Sequence, residues 1–471
     1  MTLNPVTDAF TDELRQRLPE AAFRPPGPHY LEEPRGLFVG TPGLVLAPDS
    51  AAEVATILGA ANAARIAVIP YGGGTGLVGG QLLPDGPAPI ILSLERMTEI
   101  RAVHSAENVI VAEAGAVLHD VQLAAEAADR LFPLWLASEG SCRIGGNLAT
   151  NAGGINVIRY GTARDLCLGL EVVLPTGEIW HGLKRLRKDN TGYDLKNLMI
   201  GSEGTLGVIT AASLRLFPRP AEQGAALMVV PNPASALDLL ALTSARVGEG
   251  LSAFEMIDGT GLHFLAETMP QIRQPFPEPP KWLVLVELGL SVGQDPAEIL
   301  TETFADAAGR GLVLDGLIAQ SKTQRQEFWN LRESIPAANK RIGSISSQDI
   351  SLPLSAIPDF IDIATGALTA IGEVRINCFG HLGDGNLHFN IFPAKGRSKA
   401  DYPDAPAKSR RIINDLVSEF DGSFSAEHGV GRAKVEDLER YADPVKLAAM
   451  RAIKSALDPN GIMNPGAVLR A

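Results

Sequence analysis

Three glycine-rich tracts constrain this chain more than any other feature. They are Gly72-Gly73-Gly74-Thr75-Gly76 running on to Gly80, Ser138 to Gly154 with Gly145-Gly146-Asn147 at its centre, and Gly201-Ser202-Glu203-Gly204-Thr205-Leu206-Gly207. The first follows a β-branched run, Arg65 to Tyr71, that reads as a strand, and the third runs into Val208 and Ile209. Gly74 to Gly79 satisfies G-x-G-x-x-G, but a dinucleotide fingerprint must open directly into a helix. Here Leu82-Leu83-Pro84-Asp85-Gly86-Pro87 follows, which cannot form the body of a helix. No Lys-Ser or Lys-Thr pair follows either, so a P-loop is excluded. What is left is a loop whose bare N–H groups can surround an anion, or a plain surface turn. Three such tracts in one chain favour main chain wrapped closely around a single large cofactor, because glycine is needed where backbone meets ligand.

The rest of the chain is ordinary globular material. Its 471 residues are 45 % hydrophobic and 20 % charged, with a net charge of −13. At roughly 100–200 residues per domain this length suggests two or three domains. The acidic balance argues against a nucleic-acid partner, which needs clustered Lys and Arg. No apolar run approaches the ~20 residues of a membrane span. Met1 to Arg15 carries Asp8, Asp12 and Glu13, so no signal peptide is visible. Cys142, Cys167 and Cys378 lack metal-type spacing and read as buried free thiols of a reducing cytosol. Ser50-Ala51-Ala52-Glu53 is a capping-box pattern opening an apolar helix. Pro218, Pro220 and Gln223-Gly224 mark the clearest break, giving domains of 1–220 and 221–471. Strands and helices mix without a regular βαβ rhythm, so the fold class is α+β.

Chemistry concentrates near the C-terminus. In His381-Leu382-Gly383-Asp384-Gly385-Asn386-Leu387-His388-Phe389-Asn390, Asp384-Gly385 is a turn signal and the residues after it alternate. His388 and Asn390 then share one strand face, with Leu387, Phe389 and Ile391 on the other. Further on, Ser425-Ala426-Glu427-His428-Gly429 sets a carboxylate beside an imidazole. Two histidines and a carboxylate suit Zn²⁺ or another divalent cation with an open position. Hydrogen-bonded core histidines and a solvated Glu are the plainer alternative.

Taken together, Pro70 to Gly76, Gly145-Gly146-Asn147, Arg159-Tyr160-Gly161-Thr162 and Gly201 to Gly207 resemble the vanillyl-alcohol-oxidase (PCMH-type) FAD-binding fold. The resemblance covers most of the chain and is closest to the FAD-linked D-2-hydroxyacid dehydrogenases, including the hydroxyglutarate and D-lactate enzymes and the glycolate oxidase flavin subunit. It implies FAD contacts at Gly72, Gly73, Gly74, Thr75, Gly76, Ser138, Gly145, Gly146, Asn147, Gly153, Gly154, Gly204, Ile209 and Asn464. Members with covalent flavin often carry His where Gly74 stands, so the resemblance implies non-covalent FAD. It further implies His381, His388 and Glu427 as ligands of a divalent metal, zinc first among the candidates, and Arg332, Asn390 and His428 as substrate contacts. His428, adjacent to a ligand but not one, suits a general base, since imidazole titrates near neutrality.

Arg332 lies in Trp329 to Glu333, which ends a helical pattern, and its fork suits a substrate carboxylate. Two positions depart from the hydroxyglutarate pattern: Ser347 where a Lys is common, and Pro336 where some members have Thr. Lys340 or Arg341 are the cations left to replace that Lys. The expected activity is oxidation of a D-2-hydroxyacid to the 2-oxoacid in the cytoplasm. Electrons would pass to an electron-transfer flavoprotein or a quinone, and a homodimer is compatible with the family. A flavin subunit of a glycolate-oxidase complex is the nearest rival. A metal-dependent hydrolase is more distant, because it would leave the glycine tracts without a purpose.

Overall fold

Ser50 caps the helix Ala51–Ala64 by accepting a hydrogen bond from the Glu53 amide at 3.3 Å. The Glu53 carboxylate reaches back to the amide of Asp49 rather than that of Ser50, a one-residue slip of the expected box. Val54, Ile57, Leu58 and Ala61 form the buried stripe that 3.6-residue periodicity requires. The computed structural model describes residues 2–470, which fall into two units.

The first unit takes residues 2–153, 160–219 and 427–470. It holds a four-stranded sheet of β1 (Phe23–Arg24), β2 (Leu44–Leu46), β3 (Val68–Tyr71) and β4 (Ile90–Ser93), in the order β1-β2-β4-β3. A five-stranded antiparallel sheet follows, made of β5 (Ile100–His104), β6 (Val109–Glu113), β7 (Cys167–Val173), β8 (Ile179–Gly182) and β9 (Val208–Arg215). Gly177 makes the β7–β8 turn at φ +90, a conformation open to glycine because it lacks a Cβ. A single boundary near 220 does not describe the chain, because its last segment returns to this unit. There Val68 donates to Ile462 O and Asn464 donates to Val68 O, so the C-terminal segment pairs alongside β3. Only such long-range pairing places it, and no composition shift marks it.

The second unit takes residues 154–159 and 220–426. Its sheet has seven strands: β10 (Glu222–Val229), β11 (Leu251–Asp258), β12 (Trp282–Leu290), β13 (Asp315–Ile318), β14 (Ser346–Ser351), β15 (Val374–His381) and β16 (Asn386–Pro393). They run in the order β13-β10-β12-β11-β15-β16-β14, and every pairing is antiparallel. Alternation sorts their side chains onto two faces. Val284, Val286, Phe389 and Ile391 enter one core with helices Pro233–Val247, Pro296–Gly309, Ile357–Ala367 and Ala405–Glu419. Leu283, Leu285, Ile257 and Phe379 face helices Gly259–Thr268 and Lys322–Ile342.

Two expectations need correction. The helix carrying Arg332 does not end at Glu333 but runs through Pro336 to Ile342. Proline removes one backbone bond there, yet Phe328, Leu331, Ile335 and Ala338 bury a continuous stripe that keeps the helix whole. Second, Leu354–Ile371 is 18 residues long with mean hydropathy 1.4, enough by length and composition to cross a membrane. Its Ile357, Phe360, Ile361, Ala364 and Leu368 instead pack in the core, while Asp359 and Asp362 lie off that buried face. It is a core helix.

Candidate functional site

In the first unit the glycine tracts meet main chain to main chain. Gly73 sits where a Cβ would collide with the Ser141 carbonyl oxygen, and Gly72 where one would touch Gly146 Cα at 3.6 Å. Gly145 is pressed against Ala114, and Gly204, at φ +70, against the Pro70 ring. So the three tracts converge on the end of β3. The second tract also contains a short helix, Ile144–Ala149, that glycine content conceals from sequence reading. Among the described residues, Gly140 and Gly146 face open space, with nothing within 4 Å of an added methyl, whereas the Asn147 amide nitrogen is buried without a hydrogen-bond partner. Thr75 is half-buried, Ile209 lies buried on β9, and Gly153 and Gly154 are buried. Bare backbone beside open space and an orphaned donor fit a large polar cofactor.

Gly74 has φ +69, and a side chain there would strike the Tyr71 hydroxyl. That hydroxyl donates to His29 O at 2.8 Å, so it is not free to swing away. Asn464 differs from what the resemblance implies. Its Nδ2 donates to Gly80 O (2.7 Å) and Glu203 O (2.9 Å), and its Oδ1 accepts from Arg432. The side chain ties the first tract to the third and has no amide hydrogen left for a ligand. Glu203 accepts from the Val430 and Gly431 amides at 2.7 and 2.8 Å, fixing the turn after His428. Its carboxylate is wedged between Gly80 and Gly429, and that burial pushes its pKa up to about 7 despite the two amides. The His428 Nε2 lies 3.4 Å from Glu427 Oε1. Ser138 turns the second tract through its carbonyl, which accepts from Ser141 and Cys142.

In the second unit a polar stripe crosses a sheet face that is largely apolar. Gly385, at φ +82, closes the β15–β16 hairpin, and the Asp384 carboxylate accepts from Asn386 N. This fixes a register in which His388 stands between Phe379 on β15 and Asp349 on β14. His381 stands opposite Glu255 on β11. The rings of His381 and His388 meet edge to face at 5.5 Å. Ala426, the last residue of this unit, donates its amide to Asp349 O. His381 and His388 each offer a ring nitrogen to this stripe. Two imidazoles so placed fit part of the donor set of a zinc-type divalent cation.

Glu255 is the functional candidate that sequence reading missed. Its Oε1 lies 2.6 Å from His381 Nδ1, and its Oε2 accepts from Arg332 Nε (2.8 Å) and Nη2 (2.7 Å). Burial pushes this carboxyl up, but its pairing with His381 and Arg332 prevails and holds it below the usual carboxylate range. A carboxylate inside the apolar run Leu251 to Ile257 is the one available signal. Arg332 is thus 5 % exposed, lies over the Phe379 ring at 4.7 Å, and keeps only Nη1 without a hydrogen bond among the described residues. Asn390 is 7 % exposed, and its amide makes no hydrogen bond among the described residues. Ser347 is exposed and bonds Ser344, while Arg341 donates to Thr268 O and Lys340 is exposed.

The chain matches two family models: an FAD binding domain over residues 42–182 and the C-terminal domain of FAD linked oxidases over residues 219–468. It is 37 % identical over 436 residues to the mitochondrial D-2-hydroxyglutarate dehydrogenase of Arabidopsis thaliana, covering 92 % of this chain and 76 % of that one. It is 38 % identical over 441 residues to the Rattus norvegicus protein of the same name, covering 92 % and 79 %. Among solved structures, p-cresol methylhydroxylase with substrate bound is similar with a TM-score of 0.74 over 100 % of this chain and 99 % of that one. At 14 % identity that likeness is one of fold, the vanillyl-alcohol-oxidase type.

Proposed function

The chain belongs to the FAD-linked oxidases, oxidoreductases acting on CH–OH groups, and on that premise we propose that it oxidises a D-2-hydroxyacid, D-2-hydroxyglutarate first among them, to the 2-oxoacid. The observation that carries the reading is the meeting of His381 and His388 in one unit with buried Arg332 and Asn390. A 2-hydroxyacid offers that stripe two oxygen ligands and an anion.

FAD, when bound in the glycine cradle, supplies the acceptor for the Cα hydrogen and its electron pair. His381, His388 and Glu427 would hold a divalent cation, whose positive charge would lower the pKa of the substrate hydroxyl. His428 takes the hydroxyl proton, so each turnover removes two electrons and two protons from the alcohol and leaves the ketone. Arg332 offers its remaining N–H to the substrate carboxylate, and Asn390 orients the substrate through its uncommitted amide. The FAD is non-covalent, because Gly74 has neither a nucleophile nor room for one. Acid precipitation should therefore leave colourless protein under a yellow supernatant. With no nicotinamide fingerprint in the chain, an electron-transfer flavoprotein or a quinone is the acceptor we infer.

The test is an anaerobic panel of D-2-hydroxyglutarate, D-lactate, glycolate and the L-enantiomers, read as loss of the flavin's visible absorbance. Bleaching by a D-2-hydroxyacid and not by its mirror image supports the reading. A panel in which nothing bleaches the flavin overturns it.

A further inference from the structure

Helix Lys322–Ile342 rests on the sheet through two buried carboxylates. Glu287 on β12 accepts from the Trp329 indole and lies 3.6 Å from Arg325. Glu255 on the neighbouring strand β11 receives Arg332 from the next turn of the same helix. Positions 325, 329 and 332 lie on one helix face, so both carboxylates hold the helix in register. Glu255 does something more. It is 0 % exposed, and it divides its oxygens between Arg332 and a ring nitrogen of His381.

A carboxylate can only accept, so His381 Nδ1 carries the proton. In the neutral ring the lone pair is then on Nε2, turned away from Glu255. Burying an ion pair is weak evidence of stability gain, since apolar residues of similar volume often serve as well. Two committed oxygens on two different site residues point to another reason for keeping it.

We propose that Glu255 is a shared positioning residue: one buried carboxylate fixes both the ligand tautomer of His381 and the guanidinium plane of Arg332, coupling cation binding to substrate-anion binding. This rests on the reading of His381 as a cation ligand. Outer carboxylate partners of ligating histidines set ring orientation and basicity, and their loss costs about 10–100-fold in metal affinity or activity. With the amide of Glu255→Gln, one face of the group becomes a donor, so it can satisfy His381 or Arg332 but not both.

The experiment compares Glu255→Gln, Glu287→Gln and His381→Ala in the full-length flavoprotein. Zn²⁺ affinity is measured by chelator competition, the melting temperature by calorimetry, and kcat and KM for D-2-hydroxyglutarate separately. Glu255→Gln should weaken Zn²⁺ by about 10–100-fold and raise KM. Glu287→Gln should lower the melting temperature while leaving Zn²⁺ affinity and KM at parental values. Parental Zn²⁺ affinity and KM in Glu255→Gln, with only a melting shift like that of Glu287→Gln, would overturn the proposal. If His381→Ala keeps parental Zn²⁺ affinity, the metal reading itself fails. If it empties the site while Glu255→Gln does not, only the coupling role fails. Should Glu255→Gln not fold, Glu255→Asp carries the test, because it keeps the charge one methylene short. Weakened Zn²⁺ binding is expected there too, and parental affinity would count against the role.

Discussion

The two units build their sites from opposite materials. The first uses backbone: glycines at 72, 73, 145 and 204 let three segments approach so closely that most of them leave no room for a methyl. The second uses side chains, with Glu255, His381, His388 and Asn390 set into a sheet face that also carries Ile257, Leu283, Leu285 and Phe379. The difference teaches how each tolerates change. A backbone cradle fails through added volume, whereas a side-chain stripe fails through lost atoms with the fold intact.

The widest separation should appear between His428 and His388. His428→Ala should cut the rate of flavin reduction by roughly 10²–10⁴-fold, the range for loss of a general base, while flavin and metal contents stay normal. His388→Ala should lose metal as well as rate. If His428→Ala empties the metal site and Glu427→Ala leaves it filled, the two roles are reversed.

In the cradle, Gly73→Ala forces a methyl against the Ser141 carbonyl and should cost about 1–3 kcal/mol of stability, with loss of FAD. Gly146→Ala has open space around it and lies in a short helix. It should leave the apoprotein as stable or up to ~1 kcal/mol more so, while weakening FAD. Undiminished FAD affinity in Gly146→Ala would remove that glycine from the cofactor surface.

Legibility follows the same division. Glycine tracts announce themselves in composition, and the Asp384-Gly385 turn fixes the phase of His388 and Asn390 from spacing alone. Glu255 is not legible, because its partner His381 lies 126 residues away and only strand pairing joins them. The same holds for Asn464, whose contacts with Gly80 and Glu203 are long-range, and for the return of the last segment to β3. Pro336 misleads for a local reason: propensity stops a helix there, but a buried apolar stripe outweighs it.

The smallest effect concerns pH. Glu203 titrates near 7 in the fold against an ordinary value of 4.5, so the folded chain holds this proton more tightly. Its contribution is full below the ordinary value and is lost as pH rises through about 7. Glu203→Gln should therefore flatten the decline of stability with pH across that window, measured by denaturant melts. An unchanged slope would mean the carboxylate is solvated.

One measurement bears most directly on the division between a backbone cradle and a side-chain stripe. The holoprotein is stripped with a chelator, desalted, and mixed anaerobically with D-2-hydroxyglutarate while its flavin absorbance is followed. The flavin should remain bound and unreduced, and added Zn²⁺ should restore bleaching. Reduction of the flavin at the parental rate in stripped protein would contradict the account, returning His381 and His388 to the sheet as ordinary buried histidines.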